Sequence, residues 1–183
     1  MGLQATPSQT VGPFFRIGLE GLNRDRTGAA GPLLAIHGQV LDGLGQPVPD
    51  AVIEIWQADA RGRYAHPEET RPPPVDPGFK GFCRLPTDRD GRFHFSTVKP
   101  GRVPGPGGVE QAPHLVALVF MRGLLKHLMT RIYFPDEASN DADPVLQLVP
   151  ETRRATLIAR PVAGALEWSV VLQGENETVF FEY

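Results

Sequence analysis

His114-Leu115-Val116-Ala117-Leu118-Val119-Phe120-Met121, followed after Arg122-Gly123 by Lys126-His127-Leu128-Met129-Thr130-Arg131-Ile132-Tyr133-Phe134, is the stretch that decides the fold. Both runs are rich in β-branched and aromatic residues, and Arg122-Gly123 is a turn signal between them. They read as two core strands of one hairpin. Working outward, residues 33–41 form a further strand, closed by the turn cluster Asp42-Gly43-Leu44-Gly45-Gln46-Pro47. Residues 51–57 form the next, largely apolar on both sides, as in a strand packed on two faces. Asp90-Gly91 marks a tight turn, and Arg92-Phe93-His94-Phe95-Ser96 alternates after it. Residues 155–159, 166–172 and 178–181 bring the total to about eight short strands. Between them, residues 58–89 read as a long Pro-rich irregular span, a length more often functional than decorative. Residues 99–108 read as loop. Residues 143–152 read as one short helix, with Asp143 at its N-cap and Pro144 at the first helical position.

Composition supports an all-β chain. It has 20 glycines and 19 prolines in 183 residues, about a fifth of the chain against roughly 12% for the average pair. That excess rules out a helical bundle. A hydrophobic content of 41% rules out full disorder. The expected architecture is a single all-β domain over residues 1–183, an antiparallel β-sandwich with long irregular loops and very little helix. Residues 1–32 form an extended N-terminal arm, in which Gly-Pro breaks the apolar run Val11-Gly12-Pro13-Phe14-Phe15.

A net charge of -3 gives no case for nucleic-acid binding. No apolar run approaches the ~18 residues of a membrane span, and the first ten residues lack a signal-peptide pattern. The one cysteine, Cys83, can form no internal disulfide, and its neighbours Phe82 and Leu85 mark it as a buried structural thiol. The expected location is the cytoplasm.

No Gly-x-Ser-x-Gly elbow, P-loop or dinucleotide fingerprint is present, and the five histidines show no zinc-site spacing. Two residues suggest other chemistry. Tyr64 lies in the long loop and His114 opens a core strand. Phenolate and imidazole suit a hard ferric ion. A third ligand on the same strand face would stand at 116, which is Val. The residues alone therefore argue against a metal site built by this chain.

The stretch Leu41-Asp42-Gly43-Leu44-Gly45-Gln46-Pro47-Val48-Pro49-Asp50-Ala51-Val52-Ile53-Glu54-Ile55-Trp56-Gln57-Ala58, with Gly62-Arg63-Tyr64 and Thr87-Asp88-Arg89-Asp90-Gly91-Arg92-Phe93, resembles the signature of the intradiol ring-cleavage dioxygenases. Thr6-Pro7-Ser8-Gln9-Thr10-Val11-Gly12-Pro13-Phe14-Phe15 and Thr130-Arg131-Ile132-Tyr133-Phe134 fit the same family. Catalytic members bind ferric iron with two Tyr and two His. By position these would be Tyr64 and His114, with Val103 and Val116 replacing the other two. The resemblance thus implies no metal held by this chain. It implies the alpha member of a hetero-oligomer, inactive alone, whose beta chain holds Fe(III) and cleaves protocatechuate with O2 to 3-carboxy-cis,cis-muconate. It also implies that this chain lends the pocket substrate-binding residues Arg131, Thr10, Gly12 and Pro13.

Physical chemistry is compatible with those roles. Gly12 lets backbone approach a ligand, Pro13 fixes the arm's direction, Thr10 offers a hydroxyl, and Arg131 can pair with a carboxylate. Plain docking of the arm, and a structurally paired Arg131, remain open. So do a stand-alone β-sandwich binding module that has lost the iron site, and a homo-oligomeric iron enzyme with unusual ligands.

Overall fold

A computed structural model of the chain describes residues 4–19 and 29–182. A short helix α1, Phe14–Leu19, precedes strands β1, Leu33–Leu41, β2, Val52–Trp56, β3, Phe82–Pro86, and β4, Arg92–Val98. The two-residue strands β5, Val103–Pro104, and β6, Glu110–Gln111, form a small ribbon ahead of β7, His114–Phe120, and β8, Leu128–Tyr133. Helix α2, Glu151–Arg154, then leads to β9, Arg160–Val162, β10, Ala165–Glu167, and β11, Val170–Val171.

The strands build two sheets. One has the order β3-β2-β7-β8 and is antiparallel throughout. In the other, β1 pairs antiparallel with β4 over seven residues from Leu33↔Val98 to Gln39↔Arg92. It also pairs parallel with β10 and β11, and β9 flanks β10. Alternation places the core. Phe93 and Phe95 of β4 point inward while Arg92, His94 and Ser96 point out. They meet Ile36 and Val40 from their own sheet and Ile53, Ile55, Leu85, Leu115, Ala117, Val119 and Ile132 from the other. Two sheets sharing one apolar interior form the expected sandwich.

Several local expectations need correction. Residues 58–89 are not irregular throughout: 82–86 form β3, with Cys83 and Leu85 in the core. Residues 99–108 contain β5. The single helix expected over 143–152 is broken. The Asp143 carboxylate accepts hydrogen bonds from the Val145 and Leu146 amides, but only a 3-10 turn follows at Leu146–Leu148, and α2 starts after Pro150. Residues 155–159 hold a 3-10 turn, Ala155–Leu157, and not a strand. The strand expected over 166–172 is two strands, with the buried Trp168 between them donating its indole N–H to the Thr156 carbonyl. Residues 178–181 supply only a bridge from Phe181 to Met129. The arm is extended only to Pro13, after which it is helical. Residues 1–3 and 20–28 of that expected arm lie outside the described residues. No helix among the described residues is long and apolar enough to cross a membrane.

Candidate functional site

The face of β3-β2-β7-β8 turned away from the core carries the site. Register aligns Trp56, Val116 and Arg131 in one row across β2, β7 and β8, with His114 and Tyr133 paired in the next row. Cross-strand partners lie side by side on one face. Val116 and Arg131 are therefore direct neighbours, as are His114 and Tyr133.

Tyr64 reaches this face from the long loop, which is held in shape by a buried carboxylate. Asp59 accepts hydrogen bonds from the amides of Arg61 and Arg63, each at 2.9 Å, and of Asp76 at 3.1 Å. Gly62 sits at φ +74°, and a Cβ there would lie 1.9 Å from the Arg102 carbonyl oxygen. Only glycine permits that approach. The loop thereby delivers the Tyr64 ring onto Trp56, with centroids 5.8 Å apart and planes within 5°. Beyond Tyr64 a cavity of about 520 Å³ opens between Trp56, His66, Glu68, Glu69 and Arg71. Glu69, hydrogen-bonded to Arg71, has its carboxyl held down at about 2.

Arg131 is buried, with 8% exposure, and its guanidinium is anchored within the chain. Nη1 donates to Gln111 Oε1 at 2.7 Å and to the Tyr133 hydroxyl at 3.3 Å. Tyr133 in turn donates to Asp143 Oδ1 at 3.0 Å, and Gln111 Nε2 donates to the Pro104 carbonyl. Arg131 Nε makes no hydrogen bond. His114 Nδ1 lies 2.7 Å from the Ala112 carbonyl, which can only accept, so Nδ1 carries the proton. Burial, and then the Arg131 charge, push the His114 pKa down to about 4. Burial raises Tyr64 and Tyr133 above the usual phenol range, and the Arg131 charge opposes it at both. One guanidinium thus acts on all three groups.

The four positions that the resemblance would make iron ligands, Tyr64, Val103, His114 and Val116, lie near that same guanidinium. Val116 is its cross-strand neighbour. Val103 pairs with Gln111, which holds it. The set does not fit a ferric ion: two aliphatic side chains offer no donor, and a fixed cation stands among the other two. Among the described residues no group of three or more His, Cys, Asp or Glu could hold a metal.

The arm residues lie elsewhere. Thr10 Oγ1 accepts from the Gly123 amide at 2.7 Å, at the tip of the β7–β8 hairpin, and Phe15 packs on Phe120 with centroids 5.6 Å apart. Gly12 and Pro13 are exposed. A groove of about 680 Å³ runs beside them, lined by Val11, Phe120, Leu125, Met129, Phe180 and Phe181 among others. Within one chain, then, Arg131 is not brought together with Thr10, Gly12 and Pro13. Sequence reasoning misses Gln111, for which no pattern gives a signal. It reads Asp143 only as a helix cap.

The family model described as "Dioxygenase" matches residues 19–174, and the chain belongs to that family. Within it, the chain is 43% identical to the protocatechuate 3,4-dioxygenase alpha chain of Burkholderia cepacia, over 98% of both chains. It is 35% identical to the beta chain from the same organism, over 81% of this chain and 67% of that one. Among solved structures, hydroxyquinol 1,2-dioxygenase from Pseudomonas putida DLL-E4 shares the fold at TM-score 0.64 and 19% identity, covering 93% of this chain and 63% of that one.

Proposed function

We propose that this chain is the iron-free alpha subunit of a two-chain protocatechuate 3,4-dioxygenase. Its partner is a beta chain that holds Fe(III), and together they cleave protocatechuate with O2 to 3-carboxy-cis,cis-muconate in the cytoplasm. The observation that carries the reading is the full-length likeness to an alpha chain combined with Val103 and Val116 at two of the four ligand positions. The iron supplies the oxygen chemistry in the beta chain. This chain's share is to bind, orient and exclude water. Arg131, held by Gln111 and Tyr133, supplies positive charge towards the substrate carboxylate. Thr10, Gly12 and Pro13 lie exposed on the arm, away from Arg131, where they are offered to a partner's surface.

The test is reconstitution. The purified chain should consume no O2 with protocatechuate. It should co-purify with a co-expressed beta chain, and turnover should need both. Turnover by the chain alone, or failure to associate with any beta chain encoded beside it, overturns the reading.

A further inference from the structure

His114 and Val116 on the outer sheet face, Tyr64 from the long loop and Val103 from the β5–β6 ribbon are grouped near one buried guanidinium. Val116 is paired directly with Arg131 across β7 and β8. Val103 is paired with Gln111, whose Oε1 lies 2.7 Å from Arg131 Nη1. His114 is paired with Tyr133, whose hydroxyl accepts from Arg131 Nη1, and Tyr64 stacks on Trp56, the cross-strand partner of Val116. The arginine cannot leave, since it is 8% exposed and tied to Gln111 and to Tyr133, itself tied to Asp143. Nor can it lose its charge, because a guanidinium does not deprotonate in proteins.

We propose that Arg131 stands in the place of a metal ion in this chain: a fixed internal cation, held by Gln111 and Tyr133, that bars a metal from Tyr64 and His114. Loss of two donors is then only half of the reason the site takes no iron. A trivalent ion brought among Tyr64 and His114 would meet a positive charge that neither moves nor neutralises. Restoring the donors alone leaves that repulsion in place. The inference rests on the family's ligand positions, and it holds whether or not the fixed Arg131 charge also acts on a bound substrate.

The test uses the full chain produced alone in iron-supplemented medium, with metal analysis and visible absorption as readouts. V103Y/V116H is compared with V103Y/V116H/R131Q. Because Val103 is buried, V116H is also compared with V116H/R131Q, which leaves that packing untouched. Circular dichroism and melting establish which variants fold. With Arg131 present, iron should stay at the level of the unsubstituted chain. With Gln at 131 the fullest donor set should take up about one iron per chain, with a broad visible band from phenolate bound to a ferric ion. V116H/R131Q should bind more iron than V116H. Equal iron with and without Arg131 in a folded pair overturns the proposal, as does an absence of iron from every folded variant that lacks it.

Discussion

Arg131 is the residue on which the two halves of the site's chemistry meet. A charge-assisted hydrogen bond contributes about 1.5–3 kcal/mol. In the assembled enzyme Arg131→Ala should therefore lower kcat/KM for protocatechuate by roughly 10–150-fold. Catechol, which lacks the carboxylate, should lose far less. Arg131→Lys should recover only part, because an ammonium cannot reproduce the planar fork. Steady-state kinetics on both substrates, with iron quantified, separates the outcomes, and equal losses on both would assign Arg131 to structure. His114 yields a second expectation, on stability. Its folded pKa of about 4 lies below the ordinary 6.5, so the unfolded chain takes up the proton first. Its contribution is intact above about pH 6.5 and is lost as pH falls towards 4, for a total of about 3 kcal/mol. Urea unfolding of the chain and of His114→Asn across that range checks this. The variant should lose markedly less stability on acidification.

At the scale of elements, the loop carrying Tyr64 depends on a single glycine. Gly62→Ala puts a Cβ 1.9 Å from the Arg102 carbonyl in a left-handed conformation. It should cost roughly 2–4 kcal/mol and disturb the ring stack on Trp56. Thermal melting and tryptophan fluorescence measure both, and an unchanged spectrum would mean the loop does not place the ring. The arm makes a different demand. Helix α1 has six residues, too few to persist on propensity, and it leaves Phe14 79% and Ile17 58% exposed. Deleting residues 1–15 should weaken assembly with the beta chain or remove turnover. Co-purification and O2 uptake test this, and no change in either would show the arm to be incidental. The helix is not legible in the sequence. Gly12-Pro13 reads as a breaker, whereas Pro13 ends the extended part and the Gly12 carbonyl accepts from the Phe15 amide.

Across the whole molecule, legibility follows periodicity. β1 is readable at its true bounds because its strand pattern runs unbroken up to the turn cluster, and the β7–β8 hairpin because both runs are long. β3 is hidden by its Pro-rich surroundings and its length of five residues. The C-terminal strands merge in the sequence because both keep one register on β1 and only a two-residue gap parts them. In the site, Tyr64 and His114 are legible by residue type, and Val103 and Val116 only through the family's pattern. The anchor at Gln111 depends on a two-residue ribbon, which leaves no periodic trace.

The parallel pairing of β1 with β10 and β11 sets an order of events during synthesis. β1 can join β4 once residue 98 has left the ribosome, but its other edge stays open until residues 165–171 follow. For most of translation the nascent chain thus presents a row of unpaired backbone groups, the template on which foreign strands add. A message truncated before those codons would release a protein that keeps the Arg131 face but cannot close its second sheet. Such a fragment should precipitate, and would do so before it could compete for beta chains.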